Sequence, residues 1–169
     1  MATLSPNEQE RSAAKVPHDL FLSNLIVNHI LLFTGIAAFG ASYIKLMILV
    51  PVISFLVIAF TFYRSSHIKR ENSDFVWLHW QIARRWSKIF LAVLLLLTTV
   101  SVVGILANIH LGLMKEAVYA MIGGLGILPT LVSTLILIVI ESDSLHHARV
   151  GTAPKWALSR FLGIEPEDD

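Results

Sequence analysis

Seven histidines and no cysteine set the chemistry open to this chain. Without thiols there are no disulfides, iron–sulfur clusters, thiolate zinc sites or cysteine nucleophiles. The densest group of possible ligands is Glu141-Ser142-Asp143-Ser144-Leu145-His146-His147. On a continuous helix Asp143 faces His146 and His147 at i+3 and i+4, a spacing at which carboxylate and imidazole hold a divalent metal. His18 with Asp19, and His67, are expected at the same end of the molecule, with His79 further out. The plainer reading is a solvated helix end where polar side chains gather. A di-iron site would need further carboxylates on facing helices, and the other apolar runs supply none.

His29 sits inside an apolar run. An imidazole there is bonded to a neighbouring helix, ligates haem or relays protons. A haem held by two histidines of one chain needs both at similar depth. His110 lies about 15 Å further along the membrane normal at 1.5 Å per residue. That leaves a haem shared between subunits, with one His29 from each. Asn24 and Asn28 fall on one helical face with Leu31, Gly35 and Ala38. Such a small and polar stripe suits helix–helix packing, because small residues let backbones approach and amides bond across helices. Gly123, Gly124 and Gly126, followed by Pro129, mark a second close-packed or kinked stretch.

No phosphate-binding Gly-x-x-x-x-Gly-Lys, dinucleotide-binding Gly-x-Gly-x-x-Gly, His-Glu-x-x-His or Gly-x-Ser-x-Gly occurs. No catalytic residue is therefore assigned.

The elements that carry these residues follow from hydropathy. Hydrophobic residues make up 55% of the chain and charged ones 15%, with a mean hydropathy of +0.69. Soluble domains carry about 25% charged residues. A chain of 169 residues cannot hide this much apolar surface in one core, so part of it must face lipid. Four apolar runs, about 20–39, 46–63, 89–108 and 117–140, are each long enough to cross a bilayer core of about 30 Å. The expected fold is all-α: a polytopic four-transmembrane-helix bundle of two antiparallel hairpins. The short joints 40–45 and 109–116 close those hairpins.

The long connection, 64–88, holds Arg64, Lys69, Arg70, Arg84, Arg85 and Lys88, whereas each hairpin joint holds a single lysine. The excess of Lys and Arg on one side places both termini and this loop in the cytoplasm, at a bacterial inner membrane. Asn72-Ser73-Asp74 reads as a helix start, and no Pro or Gly follows from Phe75 to Val103. Helix 3 is therefore expected to extend below the membrane as an interfacial segment. It carries Trp77, Trp80 and Trp86 beside Arg84, Arg85 and Lys88, a pattern suited to anionic lipid headgroups or to a docking partner. Trp156 belongs to a short interfacial helix ending at Gly163, before the acidic tip EPEDD.

The domain reading is a polar tail over 1–18, expected to be partly disordered and to precede an uncleaved anchor. A transmembrane domain over 19–147 and a cytoplasmic tail over 148–169 follow. Net charge is +1, which gives no pull toward nucleic acid. The expected function is a small non-catalytic membrane subunit, accessory or stabilising, in contact with lipid and within a homo-oligomer or larger complex. No cofactor is assigned. Two alternatives stay open: a haem- or metal-binding redox protein using His29 or Asp143, His146 and His147, and a small oligomeric channel or carrier.

Overall fold

In the computed structural model, residues 4–164 are described, and the acidic tip lies outside them. The described residues are helical with no strand, and four helices are long and apolar enough to cross a membrane. They are α1 (Glu8–Ala38), α2 (Lys45–His67), α3 (Asp74–Leu111) and α4 (Lys115–Val150). The chain is thus an integral membrane protein by the length and composition of its helices. Large apolar side chains such as Leu56, Leu96, Ile105 and Val139 lie exposed along them, as lipid-facing surface requires.

The polar N-terminal segment is not a loose tail. α1 begins at Glu8, within the stretch expected to be partly disordered, and runs unbroken into the first apolar run. Asn7 is the reason. Its side-chain oxygen accepts the Glu10 N–H at 2.9 Å while the Glu10 carboxylate accepts the Asn7 N–H at 2.9 Å, a capping box that satisfies two otherwise orphaned donors. Tertiary packing then overrides the weak helical preference of the segment: Ala14, Pro17 and His18 are all buried.

α3 begins where the cap signal lies. The Ser73 hydroxyl accepts the Val76 N–H at 3.3 Å. The helix continues for 38 residues to Leu111 and stops at Gly112, whose φ of 66° is the left-handed geometry of a helix C-cap. α4 ends likewise at Gly151, with φ of 83°. A side chain there would also strike Arg11, whose guanidinium lies about 3 Å from the place a Cβ would take.

Three spans are not uniform α-helix: α2 opens on the end of a 3-10 helix, Ala41–Ile48. α1 widens to a π-helix over Asn24–Leu32, and α4 does so over Ile122–Ile127. π segments inside α-helices occur frequently at functional positions.

One core cluster draws on all four helices: Phe21 and Leu25 of α1, Ile58 of α2, Phe90 and Leu94 of α3, and Leu137 of α4. A second cluster lies beyond it. There Leu78 and Ile82 of α3 pack against Ala153, in the turn after α4, and Ala157 of the C-terminal segment, Lys155–Ala157 continued by Leu158–Leu162.

Candidate functional site

The buried stripe of α1 runs Ala14, His18, Phe21, Leu22 and Leu25. That of α4 runs Thr130, Thr134, Leu137, Glu141, Leu145 and Ala148. On α3, His79 is buried between Phe75 and Ile82. Helical spacing thus turns one titratable residue from each helix inward at the same level, and they form a column. His18 Nδ1 stands 2.6 Å from Glu141 Oε2, and His18 Nε2 stands 2.9 Å from His79 Nδ1. His79 Nε2 reaches the Thr152 carbonyl at 3.2 Å. His18, His79 and Glu141 are all 0% exposed. The rings of His18 and His79 meet edge to face at 5.1 Å.

The acceptor at one end fixes the protons along the column. A carbonyl only accepts, so His79 Nε2 carries hydrogen and donates to Thr152. A neutral His79 then accepts at Nδ1, so His18 Nε2 carries hydrogen and donates to it. One proton remains, shared between His18 Nδ1 and Glu141 Oε2. Whichever atom holds it, the His18–Glu141 pair is neutral as a unit, which is how a carboxylate survives full burial. Glu141 Oε1 has no partner. Chemically the column is a directed proton-bonded tie between α1, α3, α4 and the turn at Thr152.

A second polar network lies in the π segment of α1. Asn28 Nδ2 donates to the Val50 carbonyl at 2.8 Å and to Asn24 Oδ1 at 3.1 Å. Ser54 of α2 donates to Asn24 Oδ1 at 3.0 Å, and His29 Nε2 stands 2.7 Å from the Ser54 oxygen. The His29 ring meets Phe90 edge to face at 4.9 Å. Asn24, Asn28 and His29 are all buried, so they join α1 to α2 within one chain. A haem shared between chains requires an outward imidazole, whereas His29 is turned inward with Nε2 committed to Ser54.

Asp143, His146 and His147 are not gathered into a ligand set. Asp143 is 67% exposed with Oδ2 3.8 Å from His147 Nε2. His146 is exposed, and His147 Nδ1 is bonded to the Thr152 hydroxyl at 2.8 Å. Among the described residues no three His, Asp or Glu side chains are placed to hold a metal ion. His67 is bonded to the Tyr63 carbonyl of its own helix.

The glycines divide. A Cβ on Gly126 would lie 2.7 Å from Leu97 Cδ1, so α3 and α4 are in close contact there, whereas Gly35, Gly123 and Gly124 have nothing within 4 Å. Gly104 of α3, not singled out by its sequence context, is a second close approach of α3 to α4, against Met121 and Val118.

The tryptophans and arginines are largely taken up within the chain. Trp86 and Trp156 meet edge to face at 6.1 Å, with the Arg85 guanidinium 4.5 Å from the Trp156 ring centroid. Trp77 packs on Phe161 at 6.3 Å and Trp80 is buried. Arg84 Nε is buried without a partner, and Lys88 is exposed.

Sequence reasoning placed Glu141 at a solvated helix end and His79 away from the membrane face. The signal that would have found the column is the i, i+3, i+4 phase shared by His18, Glu141 and their apolar neighbours. No family model, curated protein or solved structure matches the chain.

Proposed function

We propose that this chain is a small non-catalytic integral membrane subunit, an accessory or stabilising component of a larger membrane complex or of a homo-oligomer. One observation carries the reading. The strongly polar side chains of the first span, Asn24, Asn28 and His29, are bonded inward to Ser54 and Val50 of α2, and threonines such as Thr34 and Thr98 bond carbonyls of their own helices. What is left on the outside is mainly apolar surface, with a few exposed threonines and open glycines at Gly35, Gly123 and Gly124. Such a surface meets lipid or the helix of another membrane protein, since small residues permit close approach.

The accompanying topology is two antiparallel hairpins with both termini and the 64–88 connection in the cytoplasm of a bacterium. The lysine and arginine distribution supports it. Single cysteines at Ser66 and Leu113, labelled from outside intact cells, test this part: only position 113 should react.

Native mass spectrometry of the protein released from its own membrane tests the function. Release with a larger partner, or as multiples of the chain, supports the proposal. A lone chain carrying the mass of haem or of stoichiometric metal refutes it in favour of a redox protein.

A further inference from the structure

We propose that the cleft between α1, the end of α2 and the start of α3 binds an anionic phospholipid, with its phosphate at Arg64 and Lys69 and an acyl chain along Phe60. The cleft holds about 320 Å³ and is lined by Val16 of α1, Phe60 and Arg64 of α2, Lys69 of the connection, and Val76 and Trp80 of α3. That volume is within the range of small-ligand pockets.

Charge and position together select the occupant. Three cations, Arg64, Lys69 and Arg70, crowd the end of α2. Arg70 is taken by Asp74 at 2.6 Å. Arg64 and Lys69 make no ion pair among the described residues, and both are exposed. α1 carries three acids, Glu8, Glu10 and Asp19; none of them lines the cleft, and Glu10 is engaged in the capping box with Asn7.

Phe60 and Arg64 are four residues apart on one helix, hence on one face with Arg64 one turn beyond. Arg64 follows the last residue of the second apolar run. The same face therefore passes from apolar to cationic at the headgroup level. Val16 and Phe60, each 50% exposed, continue the apolar side of the cleft onto the outer surface of the bundle. A soluble anion would use only the cationic end, whereas a phospholipid uses both. Neither Arg84 nor Arg85 lines the cleft, and Arg85 lies instead over Trp156 of the C-terminal segment.

The test is titration of the detergent-purified protein with phosphatidylglycerol and phosphatidylcholine, with bound lipid counted by native mass spectrometry. Wild type should bind one phosphatidylglycerol in preference to phosphatidylcholine. The double variant R64Q/K69Q should lose about thirty-fold in affinity for phosphatidylglycerol, roughly fivefold per cation removed. F60Q should also weaken binding, while R84Q/R85Q should not. Arg64, Lys69 and Phe60 are exposed whereas Arg84 and Arg85 are partly buried, so wild-type melting temperatures are required of every variant. Equal binding of the two lipids overturns the proposal, as does full retention by R64Q/K69Q. Loss in R84Q/R85Q alone moves the lipid to the other patch. Competition by soluble glycerol phosphate, with F60Q indistinguishable from wild type, shows an anion site only and also overturns it.

Discussion

Replacing His18 with alanine removes the centre of the buried column. It leaves the Glu141 carboxyl without its proton-sharing partner at Oε2, where Oε1 already has none, and leaves His79 Nδ1 unpaired. Breaking a buried pair in this way costs about 3–5 kcal/mol. Glu141→Ala is milder, because what is left unpaired is a single imidazole nitrogen, His18 Nδ1. One buried unsatisfied nitrogen costs about 1–3 kcal/mol. Glu141→Gln should cost about 1 kcal/mol or less, since the amide N–H₂ can donate to His18 Nδ1 and keep the column intact. In the double variant H18A/E141A no partner of the pair is left behind. Its cost should fall short of the sum of the single variants by roughly 1.5–3 kcal/mol. The assay is reversible unfolding by SDS in mixed micelles at neutral pH, followed by tryptophan fluorescence. Single costs that add to within about 0.5 kcal/mol would show that the two residues do not interact. A loss below about 1 kcal/mol for H18A would mean that the column contributes little to holding α1 against α3 and α4.

Three further outcomes follow from other contacts. Ser54→Ala should destabilise the α1–α2 contact by about 1–3 kcal/mol in the same unfolding assay, because His29 Nε2 and Asn24 Oδ1 lose a partner together. Gly104→Val should cost about 1–3 kcal/mol through overpacking against Met121 and Val118, whereas Gly123→Ala, with nothing within 4 Å, should be neutral or stabilising by up to about 1 kcal/mol. A chain ending at Thr152 should show red-shifted tryptophan emission and lose roughly 3–6 kcal/mol, the value of uncovering Leu78 and Ile82.

The local features of this fold were legible because they are written in neighbouring residues. Four apolar runs mark the four long helices, and Ser73 ahead of Asp74 marks the start of α3. What escaped is set by residues far apart in the chain. His18 meets Glu141 across 123 positions and His79 across 61. Neither partner is recognisable until the phase of each helix against the others is known. The stripe drawn from ideal spacing holds at Asn24 and Asn28, but along the π-helix over Asn24–Leu32 it ends there, with Leu31 exposed and His29 turned in instead. The extra residue per turn brings Asn24, Asn28 and His29 onto Ser54 and Val50 while leaving Gly35 open. At the N-terminus, composition suggested looseness, but a capping box and buried contacts at Ala14 and His18 made a helix. At the other end, Trp156 and Phe161 lie against Trp86 and Trp77 of α3 rather than standing alone.

The column also has a bearing on biogenesis. Its members come from the first, third and fourth helices, and its last acceptor, Thr152, follows the final turn of α4. During synthesis the imidazoles of His18 and His79 emerge long before Glu141 and Thr152 exist to receive them. Until α4 is made, the parts of α1 and α3 that carry these imidazoles need water or another protein to satisfy them. The column therefore closes only once α4 and the turn after it are in place, and a chain cut short before Glu141 should leave His18 and His79 without their outer partners.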